Sequence, residues 1–90
     1  GYRSHKIPYI KAQHAKDATL RDGDIVAFTT KQPGIDVIHV GIITIIAGKP
    51  HLIHASSVAG KVVTEPVPLS DYLRRNRQMS GIKVFRLLDI

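Results

Sequence analysis

Two hydrophobic periods divide this chain. From residue 24 to 64 the apolar residues fall in short runs separated by turn signals, and from 69 to 78 they fall on one helical stripe. After the turn signal "RDGD" (21–24), "DIVAFTT" (24–30) reads as a strand with apolar residues pointing both ways. "KQPG" (31–34) is a second turn, and "HVGIITII" (39–46), nearly all apolar and rich in isoleucine, suits a central strand covered on both faces. "AGKP" reverses the chain into a return strand, "HLIHAS" (51–56). "AGKVVT" (59–64) holds a turn and a short strand, which "EPVP" is expected to end because two prolines do not fit a central ladder. In "LSDYLRRNRQ", Leu69, Tyr72 and Leu73 stand at i, i+3, i+4, which predicts a helix opened after Pro68 and stopped by Gly81. "IKVFRLL" (82–88) is a closing strand. Residues 1–20 are polar and mixed, and Pro8 forces extended geometry on Ile7. Short connections favour antiparallel pairing. The expected fold is α+β: a curved antiparallel sheet or partial barrel with one C-terminal helix, in a single domain over 1–90 whose sheet part is 21–90.

Composition narrows the chemistry. Ninety residues make one small domain, which buries only about 60–65% of its unfolded surface. The apolar fraction, 43%, argues against disorder, and no apolar run is long enough to span a bilayer. The sequence has no cysteine, so it holds no disulfide, thiolate ligand or thiol nucleophile. Net charge is +6, which favours anionic partners, but the charge is spread: residues 1–50 carry seven Lys/Arg against four acids, and 51–90 carry six against three. Only Arg74, Arg75 and Arg77 cluster, as on a solvated helix face. Five aromatics without Lys/Arg interleaving argue against a nucleic-acid partner.

The candidate chemistry lies in "DVIHVGIITIIAGKPHLIHASS", where His39 and His54 flank a predicted hairpin. One imidazole can carry a proton between nucleophile and leaving group while a second polar group fixes its tautomer. A turn centred between Gly48 and Lys49 pairs residues whose numbers sum to 97. Both rings then share a face, four residues apart or about 13 Å, which a wider loop or a bulge has to close. His51 reads as a turn-adjacent structural residue, and His5 and His14 as residues of the polar N-terminal part. A zinc site of His51 and His54 fails because i and i+3 on a strand face opposite ways, so no metal and no cofactor is expected. Gly23 and Asp24 read as turn residues, Gly41 as a point of close backbone approach, and Ser56 and Ser57 as strand-end hydrogen-bonding groups.

The ordered set "LRDGDIVAFTT", "GIDVIHVGI", "LIHASS", "PLSDYLRRNR" and "GIKVFRL" resembles the C-terminal half of a bacterial N-acetylmuramoyl-L-alanine-amidase-like family related to the papain-like NlpC cysteine peptidases. The likeness spans about residues 20 to 88. It implies the sheet half of a papain-like domain, a periplasmic or secreted location, and a cysteine hydrolase acting on amide bonds of the peptidoglycan stem peptide. It assigns His39 as the base and His54 as its orienting group, and puts Asp36 at a loop position where a turn cap is the expected role. The nucleophilic cysteine of that family has no counterpart here. The chain is therefore expected to be a fragment, inactive alone, whose partners are the missing N-terminal helical half or a partner chain and a peptidoglycan fragment. An uncovered apolar sheet face is expected to invite a homo-oligomer. The alternative is a non-catalytic module that binds anionic cell-wall polymer through its charge.

Overall fold

The computed structural model describes residues 2–33 and 37–89, with side-chain surroundings for 9–33 and 37–87. Six strands form one open antiparallel sheet in the order β1-β6-β2-β3-β4-β5: β1 Tyr2–Lys11, β2 Ile25–Thr30, β3 Val37–Ile46, β4 Lys49–Ser56, β5 Lys61–Pro68 and β6 Met79–Asp89. A 3-10 turn over Ala12–Asp17 follows β1, and the α-helix α1, Leu69–Arg75, separates β5 from β6. The expected antiparallel α+β architecture is present, and the sheet does not close into a barrel. No helix among the described residues is long and apolar enough to cross a membrane.

Parity explains the core. Val26 and Phe28 of β2 stand opposite Gly41 and His39 of β3 and opposite Val84 and Ile82 of β6. With Ile43 and Leu52 these residues form one sheet face, on which Leu69 and Leu73 of α1 and Ala15 of the 3-10 turn pack. The other face of β3 stays open: Val40 is 56% exposed and Ile42 47%. The expectation of a strand covered on both faces is thus corrected, because the helix covers one face only.

Several other expectations change. Residues 2–11 are a strand rather than a featureless polar segment, paired with β6 at the sheet edge. Pro8 falls where the register slips between Ile7 and Ile10, the position an edge strand allows a proline. "EPVP" does not end β5: that strand is the opposite edge, where one side of the backbone needs no ladder partner. Gly81 does not stop the helix, which ends at Arg75, but lies inside β6. A Cβ there would sit 2.3 Å from the Ile10 carbonyl oxygen and 2.6 Å from the Tyr9 hydroxyl, so only glycine admits β1 so closely.

The hairpin turns at Ala47 and Gly48, both with positive φ, 52° and 77°. Two successive residues in that region match the type I′ connection, whose twist suits antiparallel strands. Ile46 then faces Lys49, and Thr44 faces His51. The paired numbers sum to 95, not 97. "RDGD" fixes the middle of β3 from outside: Gly23 N–H donates to the Ile43 carbonyl (2.8 Å), Ile43 N–H to the Asp24 carbonyl (2.8 Å), and Ile45 N–H to Asp22 Oδ1 (2.6 Å).

Asp24 is more than a turn residue. It is 1% exposed, and Arg86 of β6 grips both its oxygens, Nε to Oδ1 and Nη2 to Oδ2, each at 2.7 Å. The Arg21 N–H adds a third bond to Oδ2 at 2.8 Å. Burial alone would push this carboxyl up, but the Arg86 and Arg21 interactions outweigh it and hold the group below its ordinary value.

Replacing Ala47 by Asn, which tolerates positive φ, should raise stability by roughly 0.5–1 kcal/mol in chemical denaturation. Asp24→Ala leaves Arg86 without its partner and should cost about 3 kcal/mol. Because the folded-state pKa of Asp24 is depressed, its contribution is present above the ordinary value of 3.8 and is lost as pH falls through the folded value. The variant should lack that part of the acid limb of the stability curve.

Candidate active site

His39 lies near the start of β3 and His54 near the end of β4, at the same end of the sheet. With Leu52 across from Ile43, the register carried two residues further sets His54 across from Gly41. The offset between the two rings is therefore two residues, not four. Diagonal neighbours of that kind lie about 7–8 Å apart at Cα, within reach of ring side chains. The rings meet: His39 Nε2 is 2.7 Å from His54 Nδ1, with their planes nearly perpendicular at 86°. Gly41, between His39 and Ile43 on this face, leaves room for Leu52, whose Cδ1 would lie 2.3 Å from an added Cβ. The β2–β3 pairing also slips at Ile38, since Phe28 faces His39 but Thr29 faces Val37. A bulge beside the ring of interest is a common means of aiming a side chain.

A third group completes the chain of contacts. Glu65 Oε2 lies 2.8 Å from His54 Nε2. Glu65 stands on β5 two residues beyond Val63, which pairs with His54, so parity turns it to the same face. Sequence reading missed it because "EPVP" looked like the end of a strand. Recognising β5 as an edge strand, where prolines are tolerated, would have exposed it. Tyr72 of α1 packs edge-on against His54, ring centroids 5.3 Å apart, and also against Phe28 at 5.5 Å. Phe28 in turn lies 5.9 Å from the His39 ring. The helical stripe read from the sequence thus holds the second histidine in place.

Hydrogen bonding fixes the tautomers. A carboxylate only accepts, so Glu65 requires the proton of His54 on Nε2. In the neutral ring, His54 Nδ1 is then an acceptor, and His39 must donate to it from Nε2. That leaves His39 Nδ1 with a free lone pair. Burial, and secondarily the neighbouring His54, push the His39 pKa below its ordinary 6.5, so the ring is neutral at pH 7 and able to take a proton. Burial, assisted by Glu65, raises the Tyr72 hydroxyl and keeps it protonated. The open groove beside the pair has a volume of about 730 Å³ and a mixed lining in which Ile38 and Val67 stand among Ser57, Glu65, Arg75 and Asn76.

The remaining candidates divide. Ser56 accepts from the Ala59 N–H at 3.1 Å, the strand-end role expected of it. His51 is buried, its Nδ1 2.9 Å from the Lys49 carbonyl. His14 is exposed on the 3-10 turn. Asp36 and the side chain of His5 lie outside the described residues. Among the described residues no cluster of three His, Asp or Glu side chains could hold a metal ion. In the His39–His54–Glu65 row, both His54 nitrogens are engaged by its neighbours, so the three do not converge on one point.

A family model for AmiA-like, N-acetylmuramoyl-L-alanine amidase-like proteins matches residues 1–82. The chain belongs to this family. This amidase-like chain is similar to the solved structure of an N-acetylmuramoyl-L-alanine amidase from Bacteroides uniformis, with TM-score 0.83 and 41% identity over 92% of this chain and 36% of that one. A Bacteroides fragilis protein provisionally named a xylanase is similar at TM-score 0.81 and 41% identity, over 89% of this chain and 36% of that one. A Legionella pneumophila protein aligns at TM-score 0.62 and 29% identity, over 74% of this chain and 25% of that one. No curated protein matches. The amidase-like chain spans about a third of the length of the Bacteroides structures. Those two carry different names at equal identity to this chain.

The depressed pKa of His39 has a measurable consequence. Its native state binds fewer protons than its unfolded state below pH 6.5, so stability should fall as pH drops through 6.5 and level off below the folded value. Thermal midpoints measured across this range should show that loss in the parent chain and a smaller one in His39→Gln.

Proposed function

We propose that this chain supplies the base and its positioning residues to a cysteine amidase that cuts amide bonds of peptidoglycan stem peptides on the papain-like plan of NlpC-type enzymes. The sulfur comes from outside these 90 residues, which contain no cysteine. The observation that carries the reading is the 2.7 Å contact between His39 Nε2 and His54 Nδ1, which leaves His39 Nδ1 open. In this scheme Nδ1 takes the thiol proton, and the thiolate attacks the amide carbonyl carbon. The resulting imidazolium returns the proton to the leaving amine as the C–N bond breaks. Water, activated by the same nitrogen, then hydrolyses the thioester and frees the thiol. His54 and Glu65 stay in place throughout, holding the tautomer and stabilising the transient positive charge on His39.

The geometry also constrains where the sulfur enters. His39 and α1 share one sheet face, whereas the uncovered apolar residues Ile25, Val40 and Ile42 lie on the other. The nucleophile therefore approaches from the open groove at the end of β3 and β4, and whatever covers the apolar face is a separate matter.

Complementation tests the proposal. The 90-residue chain, mixed with a cysteine-bearing helical segment taken from a family relative, should release stem peptide from muropeptides only when both parts are present. His39→Ala should reduce turnover by about 10²–10⁴-fold without loss of association. Glu65→Gln should reduce it by less. Stable association with no turnover, or full turnover with His39→Ala, would refute the assignment.

A further inference from the structure

Folding gathers charge that is scattered along the sequence. Lys11 at the end of β1, Lys16 on the 3-10 turn, Lys31 after β2, and Arg74 and Arg77 at and beyond the end of α1 line a second groove of about 570 Å³. These are five of the thirteen Lys and Arg residues in the chain, and no carboxylate is among the lining residues. Arg74 is paired, to Asp71 one turn earlier on the helix. Among the described residues Lys11, Lys16, Lys31 and Arg77 form no ion pair. Five like charges converging on one concavity repel one another and concentrate positive potential there, an arrangement that a ligand of opposite sign relieves.

We propose that this groove is a binding site for an oligoanion, a chain carrying several closely spaced phosphate or carboxylate groups. The cations come from four separate segments and border one groove, so a ligand with several anionic groups can pair with more of them than a single small anion can. A nucleic acid fits less well, because stacking platforms are needed for its bases and Tyr9 is the groove's one aromatic ring. The site uses neither His39 nor His54, so it is independent of the amidase reading and compatible with it.

Binding of short sodium polyphosphate and of polygalacturonate to the 90-residue chain, followed by calorimetry, tests the proposal; the tighter of the two identifies phosphate or carboxylate as the preferred group. The expected affinity falls by about a hundredfold as NaCl rises from about 50 to about 200 mM, as for some five neutralised charges. The double variant Lys31→Gln with Arg77→Gln should bind about tenfold more weakly. Lys49→Gln with Lys61→Gln removes equal charge from the hairpin turn and the start of β5, away from the groove, and should change affinity by less than about twofold. Circular dichroism confirms that each variant is folded. Failure of both polyanions to bind, equal weakening by the two double variants, or tighter binding of single-stranded RNA than of either polyanion would overturn the proposal.

Discussion

The hydrogen bond between His39 and His54 depends on a backbone feature that lies in neither ring: the placement, midway between them in the chain, of the β3–β4 turn at Ala47 and Gly48. Side chains on paired strands advance together, so moving the turn by one residue shifts every facing pair by two. With the turn one residue later, His54 would lie across from Ile43, and the two rings would be out of reach. The turn as formed brings them to a diagonal that imidazoles can bridge. "RDGD" then pins the middle of β3 through three hydrogen bonds, and the buried Asp24–Arg86 pair ties that loop to β6. The site's precision is therefore a property of the sheet, in keeping with the preference of exact geometry for rigid elements.

On this frame a linear relay is built rather than a cluster. Glu65, His54 and His39 stand in a row, each using one specific atom of the next. The carboxylate at one end sets the tautomer of the middle ring, which sets that of the last. Phe28 packs against His39 and Tyr72 against His54, and burial lowers the basicity of His39 below its ordinary value. Such a row does chemistry only when a nucleophile meets its free end, and these 90 residues contain no sulfur nucleophile.

Much of this was legible in the sequence, for identifiable reasons. Runs of β-branched residues, the RDGD turn and the Leu69–Tyr72–Leu73 stripe are local signals, and they place β2, β3, β4, the first half of β5, β6 and the helix approximately. The shared face of His39 and His54 followed from parity alone. What escaped was set by neighbours distant in sequence. β1 looked featureless because an edge strand against β6 needs no strong apolar alternation. Glu65 was hidden by prolines that exclude a central strand but not an edge one. Gly81 resembled a helix stop because its real constraint, the Ile10 carbonyl, lies on another strand. The turn was misplaced by one residue because Ala47 gives no sign of positive φ, which glycine or asparagine would have signalled. The basic groove was invisible because its lysines and arginines come together only in the folded chain.

Nitrogen-15 NMR of the histidine side chains reads the tautomers of the His39–His54–Glu65 row. At neutral pH His39 and His54 should both be protonated on Nε2 alone, with a scalar coupling across the hydrogen bond from His39 Nε2 to His54 Nδ1. A proton on His54 Nδ1, or two Nε2 tautomers with no coupling between the rings, would contradict the relay.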